Sequence, residues 1–267
     1  MTEGPDDPIV AFEREKRARI AGYPAASEWQ ALSARWIEQA FQSRYMYNYT
    51  WMGRPIIQVP TDMVALQEIV WAVKPDLIVE TGIAHGGSLV LSASLLALLE
   101  LCDAAERGET LDPRAPKRRV VGVDIDIRAH NRAALDDHPL RRRLELIEGP
   151  SLDPSVADRV REIAAGFERV LVCLDSSHTH DHVLAELELY APLVATGSYC
   201  IVFDTIVERL PAGSFPDRPW GPGDNPATAI DAYLALLRGE GRTGADGQPL
   251  RFELDHALED KAARPPP

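Results

Sequence analysis

No stretch of the chain constrains its fold more than Asp76–Leu99, DLIVETGIAHGGSLVLSASLLALL. An apolar run of strand length enters a turn holding Gly82, Gly86 and Gly87, then continues as an apolar run of helix length. Strand, glycine-rich turn and helix in that order make the ligand-binding junction of open α/β sheets. Glycine lets the backbone come close to a ligand, and the helix N-terminus offers unpaired N–H groups. An acid, Glu80, sits just before the turn.

The rest of the chain repeats this rhythm. Strands are predicted at 76–80, 119–125, 144–149, 169–175 and 198–204, with helices near 87–102, 128–136, 154–165, 179–190 and 226–238. A further helix ahead of the first strand is capped by Thr61 or Asp62, runs through Val73 and is broken by Pro75. Each strand is almost continuously apolar, so the sheet is parallel and covered on both faces. The fold class is a doubly wound α/β sandwich. The polar insert 103–118 reads as a surface loop.

Residues 1–60 read differently and form a helical and aromatic cap segment ahead of a main domain at 61–260. DPIVAFEREKRARIAGY and ASEWQALSARWIEQAFQSRY have the spacing of amphipathic helices; in the second, Trp29, Leu32, Trp36, Ala40 and Phe41 recur with helical period. Tyr45, Tyr47, Tyr49 and Trp51 then alternate before Gly53 and Pro55, either as an aromatic strand or loop packed on the core or as a lid over a small-molecule site. The two helices are expected to bury against another subunit or the sheet edge, making a homo-oligomer.

A chain of 267 residues with 45% hydrophobic composition can bury a full core, and its net charge of −13 argues against nucleic-acid and anionic-membrane partners. Arg141-Arg142-Arg143 reads as a solvated helix end. The three cysteines lack metal-ligand spacing, and Cys173 and Cys200 lie in apolar runs as buried free thiols, which suits a reducing cytoplasm. The acidic start MTEGPDDPIV has no apolar signal core, no run approaches a membrane span, and the tail ARPPP is expected to be disordered.

Ligands of such sheets sit beyond the carboxyl ends of the strands. Four of the five strands end in acids there: Glu80, Asp124 with Asp126, Asp175 and Asp204. A carboxylate at Asp124 suits a ribose diol, as NAD and S-adenosylmethionine both require. The turn E-T-G-I-A-H-G-G-S lacks the G-x-G-x-x-G of a dinucleotide site, and an acid at Glu80 would repel a pyrophosphate but attract a cationic methionine portion. S-adenosylmethionine is therefore the expected cofactor, with Gly82, His85, Gly86, Gly87 and Ser88 as its turn. After the fourth strand, Asp175 is followed by His178, His182 and Glu186. His178 opens the next helix within reach of the strand edge, where a neutral imidazole can take a proton from a substrate hydroxyl. Glu186 reads as solvated, and His182 as pointing away from the edge. The HExxH of a zinc protease is absent.

At these residues the chain resembles the cephalosporin hydroxylase family of S-adenosylmethionine-dependent methyltransferases. The matching blocks are YMYNYTWMGRPIIQVPTDM, ETGIAHGGSLVLSASLL, VVGVDIDIRAHNR, EGPSLDP and LDSSHTHDHVLAELELYAPLV, from Tyr45 to Val194. The resemblance implies a Rossmann-like class I methyltransferase domain at 61–260 and O-methylation of a small, glycosylated natural product, with S-adenosylhomocysteine as by-product and Mg²⁺ as a metal. It implies cofactor contacts at Glu80, Gly82, Asp124 and Ser151, metal ligands at Asp175 and Asp204, and His178 as the base. Phe203 stands where the family pattern has the first of an acidic pair, so a metal here would rest on fewer carboxylates. Specificity is expected in the aromatic segment 45–52 and in the loop 205–225, with Phe215 and Trp220. Two other readings fit parts of the sequence. One is an iron-dependent β-lactam hydroxylase with a facial triad of Asp175, His178 and His182; the other is a non-catalytic partner of a tailoring enzyme.

Overall fold

A computed structural model describes residues 7–261, so Met1–Asp6 of the acidic start and the whole tail ARPPP lie outside the described residues. Met46–Phe252 forms one compact unit; the segments up to Tyr45 and from Glu253 form a second.

The second unit holds α1 (Pro8–Gly22) and α2 (Ser27–Gln42). Asp7 caps α1 through the Ile9 N–H at 2.7 Å, but α1 buries none of its residues, so it is not amphipathic as expected. In α2 the buried side chains are Gln30, Ser33, Ile37 and Ala40, whereas Trp29, Leu32 and Trp36 are exposed. The apolar stripe is present but lies open. Trp36 meets the edge of Tyr45 with ring centroids 5.7 Å apart.

The larger unit begins with a 3₁₀ turn, Tyr45–Asn48, most of which it contains, and a hairpin of β1 (Tyr49–Trp51) and β2 (Arg54–Ile56). Next come α3 (Pro60–Val73), β3 (Leu77–Thr81), α4 (Gly87–Arg107), β4 (Arg119–Asp124), α5 (Ala129–Asp136), β5 (Leu144–Glu148), α6 (Pro154–Ala164), β6 (Val170–Leu174), α7 (His180–Tyr190), β7 (Cys200–Val202) and α8 (Pro226–Gly239). A short α9 (His256–Lys261) belongs to the other unit. The strands pair in the order β5-β4-β3-β6-β7, every pairing parallel. From β3 the chain builds outward to β5 on one side, then returns to build β6 and β7 on the other. The crevice beyond β3 is therefore the topological switch point, where open sheets bind ligands.

Period-two alternation along the strands supplies both faces. Val79, Val121 and Val172 pack with Val160 of α6, Leu187 and Tyr190 of α7 and Tyr233 of α8. On the opposite face α4 presses so close that a Cβ on Gly122 would stand 2.7 Å from the Leu89 side chain. The expected doubly wound, Rossmann-like sandwich is the fold observed.

Several local expectations need correction. Helix α3 starts at Pro60 with Val59 in the cap position and no side-chain cap, so neither Thr61 nor Asp62 serves; proline at the first helical position needs no N–H partner. The insert 103–118 is helical up to Arg107, where Gly108 ends α4 in a left-handed conformation. Helix α4 has 21 residues and enough apolar character to span a membrane by length and composition, but it is mostly buried as a core helix. Arg143 is not solvated: it is buried and pairs with buried Glu100 at 2.7 Å, while Glu100 also accepts the Arg118 N–H at 2.5 Å. All three cysteines are free; burial pushes the Cys173 thiol well up and that of Cys200 to about 12.

Candidate active site

The loops after β3, β4 and β6 meet at the switch point around a cavity of about 150 Å³. Gly82, Ile83, His85, Gly87, Ser88, Asp124 and Asp175 line it, together with Ser176 and with Pro55, Ile56 and Ile57 of the hairpin exit. Of the residues expected at the site, Gly82, His85, Gly87, Ser88, Asp124 and Asp175 all line this cavity.

The glycine turn is shaped mainly by protein neighbours. Gly82 has φ +85°, and a Cβ there would lie 2.0 Å from the Asp175 carbonyl oxygen. Its missing side chain lets the β3 and β6 loops touch. Gly86 occupies the left-handed N-cap of α4 and supplies no side chain to the first-turn N–H groups. Asp124 Oδ2 accepts from the N–H groups of Ile83 (2.8 Å) and Ala84 (3.2 Å), and Oδ1 from Asp126 (3.1 Å). The carboxylate assigned to a ribose is thus also the clamp of the turn. Arg54 and Asn131, which sequence reasoning missed, complete it. Arg54 donates to the His85 carbonyl at 2.6 Å and to Asn131 Oδ1 at 2.8 Å, and Asn131 donates to the Ala84 carbonyl at 3.0 Å. Arg54 follows the Gly53 turn of a matching block, which was its only sequence signal.

Glu80, Gly86, Asp126 and Ser151 do not line the cavity. Glu80 is buried behind Ser88, whose hydroxyl donates to it. Burial raises the Glu80 carboxyl to about 7, against the opposing effect of that hydrogen bond. Asp126 is exposed, with Arg128 as a distant partner at 4.0 Å. Ser151 is buried, and its carbonyl accepts from the Tyr190 hydroxyl at 2.5 Å.

Beyond β6 and β7, one donor atom each from Asp175, His178 and Asp204 lie within 4.8 Å of one another. His178 Nε2 is 3.0 Å from Asp204 Oδ2. Asp204 adopts φ +56°, a left-handed conformation that aspartate tolerates better than most residues. Burial, then the negative charges of Asp204, Glu80, Glu186 and Asp62, push the Asp175 carboxyl well above the usual carboxylate range. Such a site gains from a bound cation. Trp220 packs edge-on against His178 with centroids 4.8 Å apart, and Arg218 lies over the Trp220 ring at 5.1 Å. The 205–225 loop is tied down at its far end. Glu208 accepts from the Gly223 N–H at 2.8 Å, and Asp224 accepts from the His180 N–H at 2.6 Å.

The segment after Asp175 corrects three expectations. His178 precedes α7, which starts at His180 with Thr179 in the cap position. Glu186 is completely buried rather than solvated. His182 turns back toward the strand edge, with Nε2 3.0 Å from Ser176 Oγ and 3.2 Å from Ser151 Oγ. The facial triad of an oxygenase therefore does not form: the cluster holds one histidine and two carboxylates, and His182 is engaged elsewhere.

A family model described as Rhamnosyl O-methyltransferase/CmcI matches residues 43–240. A rhamnosyl O-methyltransferase of Mycobacterium tuberculosis (strain ATCC 25618 / H37Rv) is 31% identical over 207 residues, covering 74% of this chain and 73% of the relative. That of Mycobacterium leprae (strain TN) is 29% identical over 202 residues, covering 75% and 77%. Among solved structures, apo CalS11, a TDP-rhamnose 3'-O-methyltransferase of calicheamicin biosynthesis, aligns with a TM-score of 0.46 at 20% identity over 94% of this chain and 93% of that one. An Mg–SAM structure of CmcI aligns with a TM-score of 0.45 at 20% identity, over 72% and 67%.

Proposed function

The chain belongs to the Rhamnosyl O-methyltransferase/CmcI family and is an S-adenosylmethionine-dependent O-methyltransferase, and we propose that its acceptor is a sugar hydroxyl of a small glycosylated metabolite. The observation that carries this reading is the convergence of Asp175, His178 and Asp204 beside the switch-point cavity. A sugar hydroxyl is a very weak acid, and such a cluster supplies what its deprotonation needs. The rhamnosyl acceptors named for the relatives support the choice of sugar.

The donor set of the cavity fits the cofactor. Uncapped N–H groups at the start of α4 suit a carboxylate, Glu80 behind Ser88 offers negative charge toward a sulfonium or ammonium group, and Asp124 retains acceptor capacity for a ribose hydroxyl. Asp126 and Ser151 enter this reading only through movement on binding, because neither lines the cavity. S-adenosylmethionine supplies an activated methyl group, so the protein's task is alignment and proton removal.

His178 is proposed as the base. If its Nε2–H donates to Asp204, Nδ1 keeps the lone pair that accepts the substrate proton, and Asp204 stabilises the imidazolium that results. Asp175 and Asp204 would hold Mg²⁺, which would supply Lewis-acid chemistry that makes a nearby sugar hydroxyl more acidic. Trp220, packed on His178, offers an apolar wall for a sugar ring. The three free thiols support a reducing, cytoplasmic setting, and the open Trp29–Leu32–Trp36 stripe supports association of copies.

Calorimetry with S-adenosylmethionine and with NAD⁺, followed by mass spectrometry of rhamnose-containing acceptors, tests the proposal. Binding of S-adenosylmethionine and a single added methyl on a sugar are expected. Binding of NAD⁺ alone would refute it.

A further inference from the structure

Strands β5 and β6 are not neighbours: β4 and β3 lie between them. At about 4.8 Å per strand, their ends stand about 14 Å apart. Yet Ser151, from the loop after β5, and Ser176, from the loop after β6, both meet one atom, His182 Nε2, at 3.2 and 3.0 Å. Gly149 makes this possible. Its φ of +154° turns the chain as it leaves β5, and it is pinned by its N–H to the Asp124 carbonyl at 2.8 Å. The loop then reaches back across the sheet edge toward α7.

The bonding around His182 has one consistent arrangement. The Ser176 hydroxyl proton is committed to Glu186 Oε1 at 2.7 Å, so Ser176 Oγ can only accept from the imidazole. His182 therefore carries its proton on Nε2 and shares it between the two serine oxygens. Glu186, completely buried, stands 3.4 Å from the same nitrogen, and its Oε2 finds no hydrogen-bond partner among the described residues. A buried carboxylate with one bare oxygen is costly unless it holds something in place. Tyr190, one turn further along α7, donates to the Ser151 carbonyl at 2.5 Å and ties the same loop a second time.

We infer that His182, backed by Glu186, is a positioning residue that ties the loop after β5 to the loop after β6, and so holds the Ser176 wall of the cofactor site in place. The assignment of that cavity to a cofactor rests on the methyltransferase reading above; the tie itself does not. Ser176 lines the cavity and adjoins Asp175, so the tie runs from the loop after β5, which lies outside the cavity, to the catalytic edge of the site. His182 itself lines no part of the cavity and acts through the two serines.

Hydrogen exchange read by mass spectrometry, with S-adenosylhomocysteine calorimetry and steady-state kinetics, tests this. His182→Ala should speed amide exchange in both 149–153 and 176–179 while β3 stays protected. It should weaken S-adenosylhomocysteine and raise the cofactor KM by about tenfold, the worth of one lost hydrogen bond. It should leave kcat within about threefold, because His178 and Asp204 are untouched. His182→Gln, which keeps an N–H donor, should restore part of the affinity. Ser151→Ala leaves the imidazole and Glu186 in place and should loosen 149–153 alone, which decides the matter should His182→Ala fail to fold. Unchanged exchange at 149–153 in Ser151→Ala, or a fall in kcat with cofactor KM unmoved in His182→Ala, would overturn the inference. Loop coupling in a protein that binds no S-adenosylhomocysteine would sustain the tie and reject the methyltransferase reading instead.

Discussion

The turn after β3 and the segment after β6 face the same cavity but solve opposite problems. The turn is closed within the protein. Asp124 accepts its N–H groups, Arg54 and Asn131 hold its carbonyls, and Gly82 lets it rest on the Asp175 backbone. The β6 segment is left open in charge. Asp175 and Asp204 crowd beside Glu80 and Glu186, and burial holds the Asp175 carboxyl high. A site needs both. The first region is a rigid cradle whose shape precedes its ligand, and the second stores electrostatic demand that only a cation, a proton or a substrate can answer.

Changes at the β6 edge should act on chemistry, and those at the turn on binding and stability. His178→Ala should cut turnover by roughly 10²–10⁴-fold, with S-adenosylmethionine affinity unchanged by calorimetry. Loss of affinity with turnover per bound complex intact would reverse the assignment of the two regions.

Glu80 lies on the boundary between the regions. Its carboxyl is raised by burial to about 7 from 4.5, so the folded state binds the extra proton between those values. Stability contributed by that proton is present at lower pH and is lost as pH rises from 4.5 through 7, by about 3 kcal/mol in all. Glu80→Gln should flatten that part of the stability–pH curve in urea titrations and make the protein more stable than wild type at pH 8. An unaltered curve would show that Glu80 does not carry the charge.

Asp124→Ala would leave the Ile83 and Ala84 N–H groups without their acceptor. A loss of about 2 kcal/mol in unfolding free energy, together with weaker cofactor binding, is expected from denaturation and calorimetry. Phe203→Glu makes the smallest change. Half-buried and with its N–H bonded to the Leu174 carbonyl at 3.0 Å, Phe203 can present an acid beside Asp204, and Mg²⁺ affinity should rise roughly threefold with added charge. No change in a Mg²⁺ titration would separate this position from the metal.

What the sequence revealed follows the same division. Strand periodicity, the Gly82–Ser88 turn and the acids at strand ends are local patterns, and the parallel sheet turns them directly into a shared edge. The β6 segment defeated local reading because His182 is held by a loop that arrives from beyond two other strands, and Glu186 is buried against Ser176 where the loop after β6 folds back on α7. Spacing along α7 carries no trace of Ser151. Arg54 and Asn131 were missed for the same reason, since their partners lie 31 and 47 residues away. On α2 the period was read correctly but the buried face was not, because period alone does not say which side is covered.

The most direct test of the account is a crystal structure with S-adenosylhomocysteine and Mn²⁺ in place of Mg²⁺, using the anomalous signal to locate the ion. The account predicts the amino-acid end of S-adenosylhomocysteine against Gly82–Ser88, its ribose at Asp124, and one ion between Asp175 and Asp204 with His178 facing the open side. Density for S-adenosylhomocysteine away from the β3 turn, or an ion bound without either aspartate, would contradict it.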